Sequence, residues 1–115
     1  MRDNKDSSIW LKDIVEAIDL IALYLGDLGE EDFFNSLEKQ DSVARRLGVV
    51  GEAVQNLSDN FKAQHPNIAW KKAAGMRNVV IHEYFDMDHD LVWKTLKESL
   101  PEFKKQILEI LEKEK

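Results

Sequence analysis

Apolar residues recur at steps of three and four along most of this chain, and that spacing leaves room for little except helices packed on helices. Val43, Leu47, Val50, Val54, Leu57 and Phe61 form the cleanest stripe. This is the period of an amphipathic helix and not the alternation of a strand. Leu11, Ile14, Ile18, Ile21, Leu25 and Leu28 form a second stripe, widened by Trp10, Ala17, Leu20 and Tyr24. A helix that apolar is expected to be covered on two sides, by the core and by a second subunit. Val92, Leu96, Leu100, Phe103, Ile107 and Ile110 make a third.

Punctuation residues divide these stripes. Ser7 or Ser8 is suited to cap the first helix, and Gly29 to close it. The segment from Glu30 to Lys39 reads as a short turn or helix carrying Phe33, Phe34 and Leu37. His65-Pro66-Asn67 breaks the pattern, and Asn67 is placed to cap a helix running through Trp70, Ala74, Arg77 and Ile81. Asp88 is placed to cap the last helix, which Pro101 should kink or divide. The terminal Glu112-Lys113-Glu114-Lys115 is expected to fray. The fold expected is all-α, an antiparallel bundle of four to five helices, with the 115 residues forming one domain over 1–115.

Two glycines stand inside the cleanest stripe. Gly48 and Gly51 each cost roughly 1 kcal/mol relative to alanine in a helix interior. Another backbone or a ligand is therefore expected to come close to that helix. Arg45, Glu52 and Asn56 lie in line on its opposite side.

Charge and cysteine content narrow the chemistry. The chain has no cysteine, which excludes a disulfide framework, a thiolate zinc site and a cysteine nucleophile, and fits a cytoplasmic location. No apolar run approaches the ~20 residues a membrane helix needs. The first six residues lead into no signal-peptide pattern. The net charge is −6, the opposite of a general nucleic-acid binder. Any RNA handled by such a chain must therefore enter a local basic cleft.

Residues 77–84 read Arg-Asn-Val-Val-Ile-His-Glu-Tyr. On a helical wheel Arg77 falls on the face of Trp70, Ala74 and Ile81, where an arginine needs a counter-charge, a phosphate or water. Asn78 and His82, four apart, are neighbours on the adjoining face. Arg77 and His82, five apart, diverge by about 140° on a straight helix. They converge only if the helix ends near His82, or if two chains meet across a symmetry axis. A base, an acid and a fixed cation are what metal-free RNA cleavage by a 2′-hydroxyl requires. Histidine can serve as either acid or base, and guanidinium grips phosphate oxygens in a fork.

The sequence resembles the HEPN-domain toxins of the HepT type. The resemblance rests on Gly51-Glu52-Ala53, His65-Pro66-Asn67-Ile68-Ala69-Trp70, Gly75-Met76-Arg77-Asn78, His82-Glu83-Tyr84-Phe85 and Leu91-Val92-Trp93. These motifs cover most of the chain from about residue 40 to 100. The resemblance implies a homodimeric, metal-independent endoribonuclease that needs no cofactor, with its cleft at the dimer interface. It implies that Arg77 and His82 are the catalytic pair, with Asn78 at the polar position beside the arginine. It also implies a minimal nucleotidyltransferase as antitoxin partner, adding AMP to Tyr84. AMP there would bring bulk and negative charge into an RNA cleft.

Blander readings stand beside these. Arg77 can instead pair with Glu52 or an aspartate, with His82 as a cation at a helix C-terminus. Tyr84 can be packing beside Phe85. Arg45, Arg46, Lys71 and Lys72 either line an RNA path or form a solvated face; for the lysines the solvated face is preferred. Glu52 either orients Arg77 or balances Arg45. Trp70 and Trp93 are expected to be core or interface anchors rather than base-stacking platforms. As a zinc-protease motif the run from His82 to Asp86 fails, with Asp86 where the second histidine is needed. Asp86, Asp88 and Asp90 begin like a calcium loop, but Leu91 and Lys97 stand where glycine and glutamate are required. His82, Asp86 and His89 remain a weak metal option, and no metal is expected. The competing function is a non-catalytic HEPN-like helical dimer that binds a nucleotidyltransferase partner or a nucleotide, with Arg77 as a phosphate anchor.

Overall fold

The computed structural model describes residues 4–78 and 89–113, and these residues are helical with short connections. Three long rods dominate. The first, α1, spans Asn4–Leu25, and α3 spans Leu37–Asn56. The third runs without a break from α6 (His89–Lys94) through a π-helical segment (Thr95–Ser99) into α7 (Leu100–Lys113). Between them lie α2 (Glu30–Phe34), α4 (Asp59–Ala63), α5 (Trp70–Ala74) and a 3₁₀ turn at Gly75–Asn78. The all-α expectation holds. No described helix is long and apolar enough to cross a membrane.

The stripes fold as their spacing requires. Leu11, Ile14, Ile18, Ile21 and Leu25 are buried, as are Val43, Leu47, Val50 and Val54, and Val92 through Ile110 at the six expected positions. α1 packs against both α3 and α7, so much of its wide stripe is covered within one chain, while Ile9 and Leu23 stay exposed. Trp70 and Trp93 are core anchors, as expected. Trp70 stands edge-on to Phe103 at 6.0 Å and donates its indole N–H to the His65 carbonyl at 3.0 Å. Trp93 lies 5.7 Å from the fully buried Phe33.

Helix ends depart from expectation in four places. α1 starts at Asn4, so Ser7 and Ser8 lie inside it and neither caps it. It closes at Gly26 rather than Gly29. Gly26 adopts φ +50°, a left-handed conformation that glycine enters without steric cost, and its N–H reaches the Ala22 carbonyl at 3.0 Å. Gly29 instead stands in extended conformation before α2. The stripe from Val43 does not run as one helix to Phe61, because the chain breaks after Asn56. Ser58 then caps α4 by accepting the Phe61 N–H at 3.0 Å. Asn67 does not cap α5, whose N-cap is Ala69. Asp88 lies outside the described residues.

Pro101 produces a π turn in place of a kinked break. Proline has no N–H to donate and its ring crowds the preceding turn. The chain widens just before it, and the Leu100 N–H bonds to the Thr95 carbonyl five residues back.

The two glycines of α3 separate cleanly. A methyl group built on Gly48 meets nothing within 4 Å. Gly48→Ala should therefore stabilise the protein by roughly 0.5–1 kcal/mol through helix propensity alone. Urea unfolding of the two proteins should show a higher midpoint at unchanged slope.

Candidate functional site

Gly51 is where the expected close approach occurs. Its bare backbone is pressed against the 3₁₀ turn. A Cβ added there would lie 2.7 Å from Arg77 Cβ and 2.9 Å from the Ala74 carbonyl oxygen, and would collide with the Arg77 backbone nitrogen. Helix α3 thus seats the backbone of Arg77 directly, with no side chain between.

The wheel placed Arg77 on the buried face of Trp70 and Ala74. Trp70 is buried and Ala74 half-buried, but Arg77 is exposed. The difference comes from the turn type. α5 tightens to a 3₁₀ helix at Gly75, and three residues per turn instead of 3.6 advances each later side chain by about 20° more. By Arg77 the side chain has swung off the apolar face, while its neighbour Met76 takes a buried place.

The guanidinium then finds a neutral partner. Arg77 Nη1 donates to Gln55 Oε1, a residue on the exposed side of α3. Glu52, offered by the sequence with the aspartates as an alternative partner, is also exposed on α3, and its carbonyl accepts from Asn56 Nδ2 at 3.0 Å. Gln55 was not among the candidate residues. The signal that could have found it is positional. It stands four residues after Gly51, one helical turn along the face where the close approach was read.

The other candidates scatter around this seat. Arg45 is exposed, and Arg46 is half-buried with its Nε donating to the Tyr24 hydroxyl at 3.4 Å. Lys71 and Lys72 are exposed on α5. Asn78 closes the 3₁₀ turn. His82, Tyr84 and Asp86 lie outside the described residues. His89, the first residue of α6, stacks flat on Phe34 with ring centroids 4.0 Å apart. A cavity of about 260 Å³ beside the 3₁₀ turn is lined mainly by apolar groups, among them Leu47, Met76, Val92 and Leu96. Its walls do not include Arg77. The described part of the site therefore offers a solvent-facing cation held at two points, a geometry suited to an anionic ligand that arrives from solution.

Known proteins resemble the chain along most of its length. The model of a protein family described as "Ribonuclease HepT-like" matches residues 14–110. A protein of Methanocaldococcus jannaschii named "Gamma-glutamylcyclotransferase and putative RNase" is 43% identical over 108 residues, 94% of this chain and 49% of that protein. The chain thus spans about half the length of that relative. "Probable ribonuclease HepT" of Thermococcus cleftensis is 42% identical over 103 residues, covering 90% of this chain and 91% of that one. A "Putative RNase" of Caldanaerobacter subterraneus is 36% identical over 106 residues, 92% of this chain and 95% of the other. No solved structure matches the chain significantly.

Proposed function

The chain belongs to the HepT-like ribonuclease family, and from that membership we propose that it is a metal-independent endoribonuclease toxin acting as a homodimer in the cytoplasm. The observation that carries the reading is Arg77. It is a solvent-facing guanidinium whose backbone is seated on Gly51 and whose partner among the described residues is an uncharged amide.

In this reading the 2′-hydroxyl of the RNA attacks the adjacent phosphorus and loses its proton to a base. The bond to the 5′-oxygen breaks as that oxygen takes a proton from an acid, leaving a 2′,3′-cyclic phosphate. His82 supplies acid–base chemistry. Arg77 stabilises the charge that builds on the phosphorane oxygens. Asn78 holds the phosphate or orients His82. Arg45 and Arg46 guide the strand, and Glu52 supports the cation from α3. Two protomers bring their copies together at the symmetry axis. A minimal nucleotidyltransferase antitoxin silences the toxin by adding AMP to Tyr84, placing negative charge where RNA phosphate must lie.

The purified protein should cut single-stranded RNA in the presence of a chelator and leave cyclic phosphate ends. RNA with a single 2′-deoxy sugar at the cleavage position should survive. Cleavage of that deoxy substrate, or cleavage that stops when chelator is added, contradicts the mechanism. An acidic surface of net charge −6 predicts weak, salt-sensitive affinity for arbitrary RNA. The non-catalytic reading predicts instead a tight complex with the nucleotidyltransferase and no cut RNA at any salt concentration.

A further inference from the structure

We propose that Gln55 is a positioning residue for this site, its amide oxygen fixing the Arg77 guanidinium without neutralising it. The inference rests on the reading of Arg77 as the cation that meets RNA phosphate.

Three observations carry it. The Arg77 backbone is seated on Gly51, so the root of the side chain is fixed. Gln55 lies four residues further on and therefore on the same face of α3. Its Oε1 accepts from Nη1. The side chain is thus held at both ends along one helical turn of α3.

The choice of atoms matters. A guanidinium carries five N–H donors. Occupying Nη1 leaves the Nε–Nη2 edge whole, and that edge is a fork able to grip two phosphate oxygens. The choice of residue matters as much. A carboxylate in the same place would form an ion pair with Arg77 and compete with phosphate for it. An amide orders the same group and leaves its positive charge available. Arginine has large rotamer freedom, so an unheld side chain reaches the productive pose only part of the time.

Two variants of the full-length chain test this. Gln55→Ala removes the hold, and because Gln55 is exposed the melting temperature should stay unchanged. Cleavage of single-stranded RNA should lose roughly tenfold in kcat/KM, the size of one hydrogen bond to a charged group. Gln55→Glu keeps the hold and adds the competing charge. Its kcat/KM should fall below that of Gln55→Ala, with added salt narrowing the gap. A third readout does not depend on RNA. The Arg77 guanidinium Nε–H, identified by its loss in Arg77→Lys, should give a resolved NMR signal in the parent and an averaged one in Gln55→Ala.

If the parent cuts RNA, Arg77→Ala does not, and Gln55→Ala matches the parent in rate and signal, the positioning role is overturned while the reading of Arg77 stands. If the parent cuts no RNA, the ribonuclease reading fails. The NMR comparison then decides by itself whether Gln55 holds Arg77, and an unchanged signal in Gln55→Ala overturns that hold.

Discussion

Gly51→Ala should lower stability and cripple the site together, although alanine is the better helix former. The added methyl group would meet Arg77 Cβ at 2.7 Å and the Ala74 oxygen at 2.9 Å, besides the Arg77 backbone nitrogen. Two of these are backbone atoms, which cannot rotate away as a flexible side-chain tip can. Either α3 or the 3₁₀ turn must shift, and overpacking of this kind costs about 1–3 kcal/mol. The gain in helix propensity returns roughly 1 kcal/mol. A net loss of up to about 2 kcal/mol remains, enough at its upper end to lower Tm by several degrees in a domain of this size. The shift also moves Arg77, and a displacement of about 1 Å at a reacting centre is worth on the order of 100-fold in rate. Gly48→Ala, three residues earlier in the same helix, should move stability the other way. Urea midpoints for the pair, measured beside RNA cleavage, check both halves. A Gly51→Ala protein as stable as Gly48→Ala would mean that the 3₁₀ turn does not rest on α3.

Arg77→Ala should have the opposite signature, leaving the fold intact and removing the activity. Arg77 is exposed, and truncating a surface side chain usually changes stability by no more than about 0.5 kcal/mol. Losing a preorganised cation opposite developing charge costs roughly 10²–10³ in rate. Arg77→Lys keeps the charge but loses the fork, and should fall between alanine and the parent. His82→Ala, which removes the proposed acid–base group, should cost roughly 10²–10⁴. The double variant should be scarcely worse than the weaker single one, because groups acting on one transition state are not additive. Single-turnover rates on a defined RNA, with calorimetric melts of each protein, make the comparison. A large drop in Tm for Arg77→Ala would assign the residue to structure instead.

The pattern of burial was legible in the sequence because it depends on spacing alone. Val43 through Val54 and Val92 through Ile110 are buried where a helical period puts them. The ends of helices were less legible, because several residues of the right type compete within a few positions. Gly26 and Gly29 were both able to close α1, and only the conformation of the chain selects Gly26. The break after Asn56 was hidden because Leu57 and Phe61 continue the apolar spacing across it while belonging to a cap and to another helix. Gly51 was read correctly as a point of close approach, and Gly48 was not, since a glycine in a sequence carries no sign of what faces it. Arg77 was placed on the wrong side of its helix because a wheel drawn at one period cannot foresee a tightened turn. Gln55 escaped notice because a lone surface glutamine has no pattern of its own. The parts of the site that depend on His82 and Tyr84 rest on the sequence resemblance.

The π turn before Pro101 settles how the third rod keeps contact with the core. Val92, Leu96 and Leu100 follow one another at two successive steps of four. In an uninterrupted α-helix each such step overshoots a full turn by about 40°, so the apolar seam would wind away from α1 before α7 began. A turn that takes up an additional residue unwinds that drift. All three side chains stay buried, and the seam then resumes alternating steps to Ile110. Length in this stretch is consequently constrained more tightly than composition. Conservative swaps within Thr95–Ser99 should be absorbed, and removing one residue there should let the stretch close into plain α-helix with Phe103 and Ile107 still buried, whereas adding one would rotate everything downstream and turn both toward water.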